Sequence, residues 1–234
     1  MSEFNKDKSG VAIEDTFSVL ENQDTEALLK LHQEQLANLP ADTPEVDRYA
    51  LLLDIASDYL ALEHKSEAWI ESRHCFDFFI THSEWQKAVE ACNVMFQCDQ
   101  DESIIALANG IWLAVTFPIN PETTIAMLQH IIDETPDNSD GAAVAAITAH
   151  YIADLRAEGE KAESLKFLAT QMIAAVAKRH SQVADQEMLE FWMERMELKD
   201  PAIFLPKLAK VLEVIVGDKW WFDRDELRRR IPDN

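Results

Sequence analysis

Residues 120–157 read NPETTIAMLQHIIDETPDNSDGAAVAAITAHYIADLRA, and two helices with a hard stop between them are written into that stretch. Asn120 precedes Pro121 and Glu122, so a side chain able to cap a helix stands just ahead of a proline in the first turn, where the missing N–H had no partner anyway. Apolar positions then step by three and four through Thr124, Leu128 and Ile131, the rhythm of one helix face. Polar residues around Pro136 end the run, and an alanine-rich segment beginning at Gly141 starts a second one. Helices over 121–133 and 140–157 follow, joined by a connection too short to let them pack other than antiparallel.

The same pattern continues in both directions. Only five glycines occur in 234 residues, and alternating Val, Ile and Thr runs are absent, which leaves no sequence for a sheet. Caps of the same kind stand at Thr43-Pro44-Glu45 and Asp200-Pro201, and Ser83 with Gln86 has the spacing of a capping box. Further helices are predicted near 11–22, 24–38, 44–63, 66–81, 84–97, 102–116, 160–180, 183–197, 201–216 and 224–230. The expected fold class is therefore all-α, an array of antiparallel helix hairpins forming an α-α superhelix. A single helical domain is predicted over 11–217, with a disordered tail at 1–10 and an aromatic, arginine-rich cap at 218–234. Core positions predicted from the periodicity are Leu53, Ile55, Tyr59, Trp69, Phe76, Phe79, Trp85, Val89, Met95, Leu107, Trp112, Leu128, Ile131, Ala146, Ile152, Phe167, Met172, Phe191 and Leu208.

Ala88-Cys92-Met95 and Thr124-Leu128-Ile131 repeat one pattern about 36 residues apart, and Gly110 and Ala146 provide small residues at matching positions of the helices that follow. Over residues 84–157 this resembles a tetratricopeptide unit, with Ala88-Cys92-Met95 and Thr124-Leu128-Ile131 each reading like the second helix of a unit and Pro136 in the place of the helix-ending proline. The tetratricopeptide tryptophan and tyrosine positions are not matched, and Gln100 stands where the earlier unit would end in proline. The resemblance implies a helical-repeat scaffold of a kind mainly used to bind proteins, and it carries over no functional residue.

Charge and composition narrow the function. Forty-three acidic against 21 basic side chains give a formal charge of −22, a surface that repels the phosphates dominating nucleic-acid affinity, so no nucleic-acid partner is expected. No apolar stretch is long enough to span a bilayer or serve as a signal peptide, and the three cysteines, Cys75, Cys92 and Cys98, form no CxxC pair. A cytoplasmic, reducing environment without a membrane partner is the expectation.

Motifs for chemistry are few. Among seven histidines only His74 has a glutamate three residues before it, Glu71, where a di-iron bundle needs two such steps, and neither HExxH nor a histidine pair at i, i+4 occurs, so no metal is expected. Phosphate-cradling glycine loops and a GxSxG elbow are missing, and no cofactor is expected. The best-placed polar group is His150 with Asp154 one turn later on the alanine-rich helix, joined further on by His180. As a ligand or hydrolytic site, the two imidazoles would carry protons and Asp154 would orient one of them. Otherwise Asp154 pairs locally and the alanines tighten a helix contact.

The C-terminal WWFDRDELRRR, residues 220–230, stands apart. Five basic and three acidic side chains from Lys219 to Arg230 give +2 in a strongly negative chain, and Asp223 has N-cap spacing to Glu226. Trp220, Trp221, Phe222, Arg224 and Arg228 are the residue types of binding hot spots, and they either cap the chain's own helix array or dock on a partner. The sequence thus points away from an enzyme and toward a non-catalytic interaction scaffold, accessory or assembly factor, whose partner is another protein or a second copy of itself. The alternative is a helical small-molecule-binding or hydrolytic protein built around His150, Asp154 and His180.

Overall fold

The computed structural model describes residues 9–231, and side-chain surroundings from Gln23 onward. Eleven helices fill it: α1 (Ser9–Ala37), α2 (Glu45–Ala61), α3 (Lys65–His82), α4 (Trp85–Gln97), α5 (Ser103–Thr116), α6 (Pro121–Asp133), α7 (Asp140–Arg156), α8 (Lys161–Ser181), α9 (Gln186–Arg195), α10 (Pro201–Val216) and α11 (Arg224–Arg228). Among the described residues there is no strand, and no helix is long and apolar enough to cross a membrane. The tail expected over 1–10 lies outside the described residues except for Ser9 and Gly10, which open α1. The break expected near residue 23 is absent, because nothing between Asn22 and Asp24 ends a helix and α1 runs through.

Local chemistry sets five of the described helix starts. Asn120, Ser139, Asp185, Asp200 and Asp223 each cap with a side-chain oxygen that accepts from a backbone N–H two or three residues on. Two expected caps do not form. At α2 the cap position falls on Pro44 and no side chain bonds there, so Thr43 plays no such part. Ser83 is consumed as the left-handed C-cap of α3, since only Ser83 and Glu84 separate α3 from α4, and Gln86 instead ties Glu90, Thr123 and the Asn120 backbone together.

Consecutive helices from α1 to α8 pack against each other, and α2, α4, α6 and α8 also touch in series, forming one layer. On the other side α10 turns back and lies across α5 and α7. This explains the composition of those two helices: α5 is buried continuously from Ile105 to Ala114 and α7 from Ala142 to Ala149, because each is covered from two sides. Small residues let the backbones approach. Val211 of α10 comes within 3.4 Å of where a Cβ on Gly141 would sit, and such an atom on Gly110 would stand 2.7 Å from the Cβ of Cys92 on α4.

The predicted core holds from Leu53 to Leu208, with Tyr59, Trp69 and Trp85 only partly covered. Phe167 and Phe191 depart from it, exposed at 66% and 67%. Both obey the helical rhythm, but α8 ends the layer with α9 packed after it, and among the described residues nothing covers the faces that carry Phe167 and Phe191, so the step of three or four marks a face without telling which face is buried.

Candidate functional site

His150 and Asp154 share one face of α7 and line a cleft of about 330 Å³ whose other walls come from Glu190 and Met193 on α9, the α9–α10 connection and Phe204 on α10. Asp154 reaches across to α8 and pairs with Lys166 at 2.7 Å; the hydrogen bond and charge of Lys166 hold its carboxyl below the usual range and raise the ammonium in return.

His180 sits elsewhere. At the end of α8 its Nε2 lies 3.0 Å from Asp140, the first residue of α7, while its Nδ1 accepts from the indole N–H of Trp192 at 3.3 Å and meets the Ser181 hydroxyl at 2.7 Å. That pattern selects the tautomer with the proton on Nε2, donated to Asp140. Asp140 precedes His150 by ten residues on the same helix, roughly 15 Å along its axis. The structure therefore brings His150 and Asp154 together and puts His180 at the opposite end of α7, where it joins α7, α8 and α9.

The tail residues converge on the chain's own body. Trp221 packs edge-on against Trp69 and Phe76 of α3, at 6.3 and 5.3 Å between ring centres, and Arg73 lies over its face at 4.1 Å. Trp220 and Phe222 flank Trp112 of α5, at 6.4 and 5.2 Å. Arg224 stacks on Trp220 at 4.2 Å and bonds Glu213, whereas Arg228 lies over Trp112 at 5.5 Å and pairs with Asp225. Fully buried Asn109 accepts from the Trp221 backbone N–H at 3.2 Å, which fixes the height of the tail on α5.

No family model matches this chain, and no curated protein or solved structure proves similar to it.

The three thiols are shielded. Burial pushes the Cys75 thiol up to about 12 and that of Cys98 up to about 11, and it raises the fully enclosed Cys92 as well, so the thiolate is disfavoured at each. His74 bonds the Tyr49 hydroxyl at 3.2 Å, and among the described residues no group of three or more His, Cys, Asp or Glu is arranged to hold a metal. Sequence reasoning missed the buried ends of Arg156 and Arg179. Arg156 donates to the carbonyls of Ala114 and Val115, and Arg179 to that of Ile132. Nothing local in the sequence signals either contact.

Proposed function

We propose that this protein is a non-catalytic interaction scaffold, a tetratricopeptide-like α-α superhelix that binds another protein or a second copy of itself. The observation that carries this reading is the set of large apolar side chains held outward on α8 to α10: Phe167, Leu168, Met188, Phe191, Ile203 and Val214, the last exposed at 85%. Large apolar side chains left in solvent on a packed framework are the kind of side chain that a partner protein buries. The repeat reading draws support from register. Ala88, Cys92 and Met95 on α4 and Thr124, Leu128 and Ile131 on α6 are all buried, while Gln86 meets Thr123 and Asn93 meets His130, both pairs 37 residues apart. With the tail's aromatic rings seated on α3 and α5, the partner surface is assigned to the α8–α10 end.

The test is affinity capture with the tagged full-length chain beside its Phe167→Asp/Phe191→Asp variant. Wild type is expected to retain a stoichiometric partner, or to dimerise, and the variant to lose it at an unchanged melting temperature. A strictly monomeric chain that captures nothing rejects the reading.

A further inference from the structure

Ile147, His150, Tyr151 and Asp154 occupy one face of α7 near its C-terminal end, and they form one wall of the cleft opposite Glu190, Met193 and Phe204. A space of about 330 Å³ is at the small end of ligand sites and suits one large side chain. Its interior offers a specific set of groups. The rings of Tyr151 and Phe204 meet edge to face at 5.8 Å, and Ile147 and Met193 add aliphatic surface. Among the described residues, neither the His150 ring nor the Tyr151 hydroxyl has a hydrogen-bond partner, so acceptor capacity is left over inside the cleft.

The rim is acidic and exchangeable. Asp154 pairs with Lys166 at 2.7 Å and Glu190 with Lys199 at 3.2 Å, and the two carboxylates are 66% and 55% exposed. Solvent screens both pairs, so an incoming cation can share or replace either lysine at small cost. Around the cleft, residues 185–200 carry six acidic and two basic side chains, within a chain of −22. This field draws cations in and repels acidic partners.

We propose that the cleft receives an arginine side chain from a basic segment of the partner protein, an inference that rests on the scaffold reading above. A guanidinium suits the acceptors and rings of the lining: its face stacks on the aromatic rings, its planar fork matches the Asp154 carboxylate once Lys166 yields it, and its remaining N–H groups suit His150 and the Tyr151 oxygen, while Lys199, also in the lining, stays on Glu190. Lysine lacks the flat face and the fork. An aliphatic side chain would leave the polar groups of His150 and Tyr151 unpaired as water is expelled.

The experiment is an NMR titration of the full-length protein at physiological salt with N-acetyl-arginine amide, and separately with N-acetyl-lysine amide. Saturable shifts of the His150 and Tyr151 ring signals are expected, with arginine bound about fivefold or more tighter than lysine. Asp154→Asn/Glu190→Gln should weaken arginine about tenfold, whereas Glu45→Gln/Asp47→Asn on α2 should stay within about twofold, since screening makes remote charge weak. Shifts that spread over the acidic surface without saturating, or equal losses in the two variants, overturn the proposal. A captured partner that Asp154→Asn/Glu190→Gln retains at full strength overturns the cleft alone and leaves the scaffold standing. Saturable arginine binding with no partner captured overturns the scaffold and the protein source of the guanidinium. Melting curves of both variants confirm that each is folded before it is scored.

Discussion

At Gly110 a single hydrogen atom separates a packed helix pair from a clash. A Cβ there would come 2.4 Å from the terminal methyl of Met127 and 2.7 Å from the Cβ of Cys92. The methionine can rotate away, but a Cβ moves only with its backbone, so α4 and α5 would have to separate. Gly110→Ala gains roughly 0.5–1 kcal/mol of helix propensity and loses about 1–3 kcal/mol to overpacking. The expected outcome is a net loss, seen as a lower urea midpoint at constant slope; a more stable variant would show that the pair separates freely. His130 makes the second case. Its ring lies against Phe96 at 4.8 Å and its Nε2 meets Asn93 at 3.1 Å, and burial lowers its pKa against the opposing pull of Asp133 and Glu134. A lowered value means that the folded state holds the neutral ring more firmly than the unfolded chain does, so this contribution is complete above about pH 6.5 and is lost as the pH falls through the native value. Urea midpoints compared between pH 7.5 and 5.5 should therefore drop further for wild type than for His130→Gln; equal drops would assign the loss to other groups. The need for a small residue at 110 was legible from the repeat register, while nothing set His130 apart from six other histidines, because its neighbours come from a helix 37 residues away.

Helix ends show the same division between local and distant causes. The caps at Asn120, Asp200 and Asp223 could be read from the sequence, since cap and first turn are adjacent in the chain. C-terminal carbonyls are satisfied from afar: those of α5 by Arg156 at 2.7 and 2.8 Å, that of Ile132 in α6 by Arg179 at 2.6 Å, that of Met196 after α9 by Lys207 at 2.9 Å, and that of Ile80 in α3 by Arg230 at 3.3 Å. Every one of these cations comes from later in the chain and brings positive charge to the negative end of a helix dipole. The arginines thus bind one stacked element to an earlier one, which a local reading of the sequence has no means to detect. Arg156 is the cleanest to test, because burial lowers its pKa yet leaves it charged, and its two donated bonds go to neighbouring carbonyls. Arg156→Met keeps the aliphatic stem and leaves both carbonyls without their donors, at an expected cost of about 2–3 kcal/mol. Hydrogen exchange should accelerate over the last turn of α5 more than elsewhere; uniform acceleration would make Arg156 a general packing residue.

For the molecule as a whole, the order of contacts departs from the order of the chain only at its end. Up to α8 each helix rests on its predecessor, an arrangement the short connections imply; then α10 recrosses α5 and α7, and the tail continues over α5 to α3. Periodicity identified α10 as a helix but could not choose its destination, because the alanine-rich face of α7 and the apolar face of α5 advertise burial without naming what buries them. The segment from Lys219 to Arg230 therefore closes a loop of more than a hundred residues, and its seat is built from Asn109, Phe76, Trp112 and Arg73. Its local fold depends on Asp223, whose carboxyl is held below the usual range by the backbone N–H groups of Glu226 and Asp225. A depressed carboxyl value stabilises the folded form above about pH 4, and that contribution disappears as the pH falls through the native value. Asparagine caps equally well and does not titrate, so Asp223→Asn should flatten the acid limb of the tail's tryptophan fluorescence without altering it at pH 7. Trp221→Ala removes the ring between Arg73 and Phe76 and should cost about 2–3 kcal/mol, less than a fully buried tryptophan, because Trp221 is only half-covered. If the closing segment is part of the cooperative fold, the Trp221→Ala transition stays single and moves to lower urea. A separate early transition, with the body melting unchanged, would instead make residues 218–231 an appendage that the helix array does not need.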